Sequence, residues 1–215
     1  VYGGTEKIAG DDKHAYNSAF ACSPEGEVTA YEKITPVEGE WCTPGITPVM
    51  LDTEWGKVGL SVCYDTYATP ELERYYAAEG CGIVLNPTAT SRSYTDTDGD
   101  GILNAEGWEW YYKDRLESTT SRDGILIASS NLVGSDGQAD ENGKKPYNFP
   151  GGSVIIGGGF SAAIYYAGAD DSNNIVTGKE GMLTNTEEID MNSKPSSTIS
   201  VSADFHPDYY AKWYK

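Results

Sequence analysis

The sequence is poor in histidine, cysteine and basic residues, and each scarcity excludes a class of function. Its two histidines, His14 and His206, lie near the ends of the chain, so a Cys-His or Ser-His-Asp site would have to use one of them. Its four cysteines are too few and too irregularly spaced for a zinc motif or a disulfide-rich scaffold, although they leave room for one disulfide. No apolar run approaches the roughly 18 residues of a membrane span, so none is expected.

The shortage of basic residues gives the chain a strongly negative charge. Fifteen Lys and Arg stand against 33 Asp and Glu, which leaves a formal charge of −18 and a pI near 4.3. Such a surface repels a polyanion at long range, so nucleic acid is not an expected partner. A solvated acidic surface suits salt or an extracellular setting. We therefore expect an extracellular or cell-surface protein, with a cytoplasmic location as the alternative.

The pattern of apolar runs and turn residues predicts an α/β fold. Hydrophobic residues make up 39% of the chain, and its length of 215 residues predicts a single domain over residues 1–215. Alternating segments predict strands at 16–22, 27–33, 49–53, 58–63, 81–87 and 124–131 and helices at 70–80 and 108–122. The strand–helix–strand order implies a parallel pair with a right-handed crossover. From residue 148 onward, glycine-rich apolar runs predict more strands and a second sheet.

One cysteine stands out by its place in this pattern. Cys63 ends a buried strand, and the carboxyl ends of strands are where open α/β sheets bind ligands. A lone cysteine at such a place is more often a small core residue than a nucleophile. The neighbouring motifs reverse that expectation.

Those motifs follow one another in a characteristic order. They are YNSA at Tyr16, YEK at Tyr31, EGEW at Glu38, WGKVGLSVCYD at Trp55, PEL at Pro70, NPTAT at Asn86 and GILIASSN at Gly124. Over about residues 3–153 the chain thereby resembles the nitrilase, or carbon–nitrogen hydrolase, superfamily. The resemblance implies an α-β-β-α sandwich in which a Glu, a Lys and a Cys converge in a pocket.

The resemblance also assigns roles to residues of this chain. Cys63 corresponds to the attacking thiol, Lys33 to its cationic partner and Glu40 to a supporting carboxylate. An ammonium near a thiol favours the nucleophilic thiolate. Lys33 and the backbone N–H of Tyr64 would hold the developing oxyanion, an interaction worth roughly 3–4 kcal/mol per donor. The implied reaction is attack on an amide or nitrile carbon, formation of a thioester and its hydrolysis.

Two departures from the family pattern qualify this assignment. The family's general-base Glu lies upstream of the matched segments, so the fold is expected to lack its N-terminal strand and helices. An incomplete sheet would expose a large apolar face. We therefore expect an N-terminal fragment or second chain to supply the Glu, with a pseudoenzyme as the alternative. The helix ending TTSRD at Thr119 also lacks the family's usual acidic and amide pair. Homo-oligomers are usual in the family.

A second motif, independent of the first, lies in an inserted acidic loop at residues 94–107. It resembles the calcium loops of thrombospondin type 3 repeats and dockerins. Alternating oxygen ligands followed by glycine suit a hard divalent cation. The predicted ligands are Asp96, Asp98, Asp100, the carbonyl of Ile102, Asn104 and Glu106. Glu106 falls one place early for an EF-hand, and a solvated acidic loop is the alternative.

Together these features predict thiol-dependent hydrolysis of a non-peptide C–N bond, in an amide or nitrile small molecule. No organic cofactor is expected, and calcium would be structural. The alternative is a non-catalytic, calcium-stabilised extracellular surface or assembly protein with a nitrilase fold. The residues leave open the identity of the substrate and the choice between hydrolysis and acyl transfer.

Overall fold

The computed structural model describes residues 1–90, 115–116, 118–135, 148–150, 153–157, 165–166, 181–182 and 206–210. Its strands are β1 (Tyr2–Lys7), β2 (Ala15–Cys22), β3 (Val28–Glu32), β4 (Val49–Thr53), β5 (Gly56–Leu60), β6 (Cys81–Thr88), β7 (Leu126–Asn131), β8 (Val133–Ser135), β9 (Asn148–Pro150), β10 (Val154–Gly157) and β11 (Tyr165–Tyr166). Its α-helices are α1 (Tyr64–Ala68), α2 (Glu71–Ala78), α3 (Ser118–Asp123) and α4 (Pro207–Tyr210). Among the helices of these described ranges, none has the length and hydrophobicity of a membrane span.

The first sheet is antiparallel, in the order β1-β2-β3. The turn between β2 and β3 is built by Ser23, whose side-chain oxygen accepts the N–H groups of Glu25 and Glu27. Gly26 completes the turn at φ 89°, a conformation that costs glycine little because it has no Cβ. The predicted hairpin is therefore confirmed, and Lys33 follows directly after its second strand.

The second sheet has the strand order β11-β10-β7-β6-β5-β4. Strands β5, β6 and β7 run parallel, and β4 and β10 flank them in antiparallel pairs. The parallel pairing of β5 and β6 around α2 confirms the predicted strand–helix–strand unit. Strands β8 and β9 form a separate two-stranded antiparallel pair.

Helix α2 packs closely against β5. The Tyr76 hydroxyl donates to the Leu60 carbonyl at 2.6 Å and accepts the Val49 N–H at 3.1 Å. A Cβ on Gly59 would lie 2.7 Å from the Tyr76 ring, so only glycine permits this approach. The N-cap of this helix is Pro70, and the preceding residue, Thr69, is the C-cap of α1.

One core joins the two sheets and the helices. Side chains from the first sheet and from the second meet in a single apolar cluster that includes Ala19, Tyr31, Leu60, Tyr76, Val84, Ile127 and Ile156. The two sheets are thus packed face to face, with α2 on the outer face of the second. This packing brings the loop after β3 close to the end of β5.

Candidate active site

Cys63 occupies a sharp turn between strand β5 and helix α1. The parallel ladder continues past the strand, because the N–H of Ser61 donates to the Leu85 carbonyl and that of Cys63 to the Pro87 carbonyl, at 3.1 and 3.0 Å. Cys63 then adopts φ 46° and ψ −108°, and it is the one non-glycine residue with positive φ in the described part of the chain. These angles suit glycine at the first central position of a type II′ turn. The half-buried thiol is held there at a cost of about 1–3 kcal/mol.

Lys33 is fully buried and forms an ion pair with Glu38. Glu38 Oε1 accepts from Lys33 Nζ and, at 2.8 Å, from the Asn17 amide, and Oε2 accepts the Val37 N–H at 2.8 Å. Burial disfavours the charged carboxylate, but the hydrogen bond and charge of Lys33 outweigh it and lower the pKa of Glu38. Glu38 is therefore a carboxylate at neutral pH, bonded to the Lys33 side chain.

Glu40 does not hold the place expected from the sequence. Its side chain is exposed, whereas the carboxylate bonded to Lys33 belongs to Glu38. The reason is the tight turn after Glu38, in which the Cys42 N–H donates to the Gly39 carbonyl at 3.1 Å and Gly39 has a φ of 106°. This turn directs residue 38 inward and residue 40 outward. The two glutamates flank one glycine in the sequence, and the motif alone did not distinguish them.

Asp65 connects the loop after Lys33 to the turn at Cys63 by hydrogen bonds. Its buried carboxylate accepts the Tyr31 hydroxyl at 2.6 Å and the N–H groups of Ile34 and Thr35 at 3.2 and 2.7 Å. Burial raises the pKa of this carboxyl, and these hydrogen bonds oppose the rise. Asp65 was not among the residues singled out by sequence, although it stands two places after Cys63.

A cavity of about 930 Å³ brings the site residues together. Cys63 and Tyr64 line it from one side and Glu38 and Asn17 from another. Lys33 is connected to it through its ion pair with Glu38. The rest of the described wall is largely apolar and aromatic, with Tyr2, Val37, Trp41, Leu132 and Phe149. The cavity therefore combines a thiol, a carboxylate that is paired with a buried lysine, and an apolar surface.

The predicted calcium ligands, residues 96–106, lie outside the described residues. Within the described ranges, no group of three or more His, Cys, Asp or Glu side chains could hold a metal ion. None of the four cysteines forms a disulfide. The calcium loop therefore stays a prediction.

A strained cysteine after a buried strand, which shares a cavity with the carboxylate partner of a buried lysine on two packed sheets, is typical of the nitrilase class of α/β fold. The model of the carbon–nitrogen hydrolase family matches residues 1–110, just over half of the 215-residue chain. The chain belongs to the carbon–nitrogen hydrolase family.

Known proteins agree with this assignment. A probable nitrilase of Schizosaccharomyces pombe is 25% identical over 99% of this chain and 68% of its own length. The deaminated glutathione amidase of Synechocystis is 32% identical over 45% of this chain and 40% of its own length. A solved mutant of the Nesterenkonia AN1 amidase, from the nitrilase superfamily, has a TM-score of 0.55 at 25% identity, over 76% of this chain and 55% of its own. The nitrilase-type fold is thus confirmed.

The chain spans only part of the length of the relatives it matches. The covered share is 32% for a second hydrolase of Schizosaccharomyces pombe, 40% for the Synechocystis enzyme and 55% for the solved amidase. These relatives are hydrolases and amidases.

Proposed function

We propose that this chain carries the nucleophilic half of a thiol-dependent amidase. The observation that carries the proposal is the cavity lined by the strained Cys63 and by Glu38, whose carboxylate is paired with the buried Lys33. The Cys63 thiolate attacks the carbonyl carbon of a small amide, and Lys33 and the Tyr64 N–H stabilise the oxyanion that forms. The C–N bond then breaks, the amine leaves with a proton, and water hydrolyses the thioester to the acid.

The proton of Cys63 needs a base, and we assign that role to a glutamate from another segment or a partner chain. Glu38 is poorly suited to it, because both of its oxygens already accept hydrogen bonds and its pKa is lowered. Glu40 is exposed. Glu38 instead keeps Lys33 charged and in place, which replaces the role first expected for Glu40.

The choice of amides over nitriles is supported by the relatives. Solved forms of the Nesterenkonia amidase include a complex with butyramide and a covalent adduct of the acetamide moiety of fluoroacetamide at the active-site cysteine. These two structures are 28% and 27% identical to this chain. Butyramide and fluoroacetamide are therefore suitable probes.

Competition between two cysteines for an alkylating agent tests the proposal. Cys22 is exposed and Cys63 is half-buried, so exposure alone predicts faster labelling of Cys22 by iodoacetamide. An activated thiolate reverses that order. In the intact protein we expect faster labelling of Cys63, slowed by butyramide, and a mass increase on Cys63 with fluoroacetamide. Faster labelling of Cys22 than of Cys63, together with no fluoroacetamide adduct on Cys63, would refute the amidase hypothesis. It would favour the alternative of a non-catalytic assembly protein.

Hydroxylamine traps the proposed thioester intermediate. A thioester formed from butyramide is attacked by this strong amine nucleophile, which yields butyrohydroxamic acid and returns the Cys63 thiol. We expect this product together with butyric acid. Replacement of Cys63 by alanine should abolish both, since no other described residue supplies the thiol in this cavity.

A further inference from the structure

A buried polar cluster lies directly beneath the Cys63 turn. It consists of Ser61, Thr66, Asn86 and Ser129, each at most 4% exposed. Asn86 is its centre: the two hydrogens of the side-chain amide nitrogen are shared among Thr66 Oγ1 at 2.8 Å, Ser61 Oγ at 3.0 Å and the Cys63 carbonyl at 3.4 Å. Polar side chains buried inside a protein destabilise it unless they form hydrogen bonds with one another.

The hydrogen bonds define the orientation of the Asn86 amide. The Cys63 carbonyl can only accept, so the nitrogen must face the turn. The other end, Oδ1, accepts the Ser129 hydroxyl at 3.0 Å. Asn86 therefore joins the end of strand β5, the turn and the first residues of helix α1.

The Cys63 carbonyl is held from two sides. It accepts the Thr66 N–H at 3.2 Å in addition to the Asn86 amide. A trans peptide unit is planar, and its C=O and N–H point in opposite directions. The group that fixes the Cys63 carbonyl thereby also fixes the direction of the Tyr64 N–H, which belongs to the same peptide unit.

We propose that Asn86 is a positioning residue for the oxyanion site: by holding the Cys63 carbonyl, it aims the Tyr64 N–H at the substrate oxygen. The inference rests on the proposed amidase function. Asn86 acts through the backbone and does not itself contact the substrate. The strained φ of 46° at Cys63 makes this support necessary, because the turn would otherwise relax towards common backbone angles.

The oxyanion site stabilises the transition state rather than the bound substrate, so the quantity to measure is kcat. Loss of its alignment should lower kcat with little change in KM. Alkylation by iodoacetamide forms no oxyanion and should not depend on the Tyr64 N–H. We expect Asn86→Leu to lower the kcat for butyramide by about 10- to 100-fold, with Cys63 alkylation within about twofold of wild type.

Variants at Thr66 give the same test without an altered Asn86. Thr66→Val removes the hydroxyl that aligns the amide, and Thr66→Ser keeps it. We expect a lower kcat for the valine variant and near-complete retention for the serine variant. This pair keeps the inference testable even if Asn86→Leu does not fold.

Tyr76→Phe is the matched control for lost stability. It removes a buried hydroxyl that bonds the Leu60 carbonyl and the Val49 N–H. We expect a lower midpoint of urea unfolding and an unchanged kcat.

The possible failures differ from one another. A wild-type protein with neither selective Cys63 alkylation nor acylation would overturn the amidase proposal itself. An active wild type with an equally active Asn86→Leu would overturn only the positioning role. Equal losses of alkylation and acylation in that variant would also overturn it, because Asn86 would then serve the thiol rather than the oxyanion donor.

Discussion

At the scale of single residues, the site concentrates strain and buried charge. Cys63 holds backbone angles that disfavour any side chain, and Lys33 is a basic residue with no solvent exposure. Both arrangements lower stability unless the surroundings compensate, through the β5–β6 ladder for Cys63 and through Glu38 for Lys33. Such a balance is typical of functional sites, where the geometry that activity requires lowers the stability of the fold.

The strain at Cys63 predicts that glycine at this position gives a more stable protein than alanine. Glycine tolerates φ 46° without steric cost, whereas alanine keeps the penalty. We expect Cys63→Gly to exceed Cys63→Ala in unfolding free energy by about 1–2 kcal/mol, although both lack the thiol. Urea unfolding of the two variants measures this directly. A more stable alanine variant would show that the turn is not strained.

The Lys33–Glu38 pair predicts a contrast between two neighbouring glutamates. Glu38→Gln leaves the buried ammonium of Lys33 without a counter-charge, so we expect a loss of about 2 kcal/mol in unfolding free energy and a large loss of activity. Glu40→Gln alters an exposed side chain two residues later, so it should change neither the unfolding free energy nor the activity by much. Unfolding curves and butyramide turnover test both variants. The opposite ranking would return the role to Glu40.

The lowered pKa of Glu38 sets the sign of its pH dependence. The carboxylate stabilises the fold above its ordinary pKa, and this stability is lost as the pH falls through the lowered folded-state pKa. Glu38→Gln should therefore reduce the difference in unfolding free energy between neutral and acidic pH.

At the scale of elements, helix α2 contains a buried carboxyl group that its packing leaves without a hydrogen bond among the described residues. Glu73 is fully buried, and its carboxyl oxygens have no hydrogen-bond partner in the described part of the chain. Burial raises the pKa of Glu73 well above its usual range; the charges of Asp65 and Asp123 add to the rise, and the nearby Thr66 hydroxyl opposes it only in part. Its contribution to stability is present below the ordinary pKa of a glutamate and is lost as the pH rises through the raised pKa.

This helix predicts a stabilising substitution. Glu73→Met replaces the buried carboxyl by an apolar side chain of similar length, so we expect a gain of about 1–3 kcal/mol at pH 8 and a smaller gain at pH 5. Glu71→Met, at an exposed site in the same helix, should stay within about 0.5 kcal/mol of wild type at both pH values. Urea unfolding at the two pH values measures both. A destabilised Glu73→Met would mean that the carboxyl is paired.

At the scale of the whole molecule, the charge of −18 favours cations as ligands. We propose that the loop at residues 94–107 binds calcium and orders the rim of the cavity, in keeping with an extracellular location. Removal of calcium by a chelator should then lower both the Tm and the turnover of butyramide, and added calcium should restore them. Asp98→Asn should weaken the response. Unchanged Tm and turnover after chelation would leave the loop as a solvated acidic surface.

The sequence alone determined the elements near the site, because their signals are local. The hairpin around Ser23, the helix after Pro70 and the buried strand that leads to Cys63 each follow from nearby turn residues and periodicity. The motif order around Lys33 and Cys63 likewise identified the family. These features depend on residues a few places apart in the chain.

Only the tertiary structure decided which side chains meet. Glu38 rather than Glu40 reaches Lys33 because the turn at Gly39 reverses which residue faces inward. Asp65 gains its partner Tyr31 from the first sheet, and Asn86 gains its partners from neighbouring segments of the second sheet and helix α1, in each case at least 20 positions away in the chain. Such contacts depend on packing and on the direction of each side chain, which local sequence patterns do not specify.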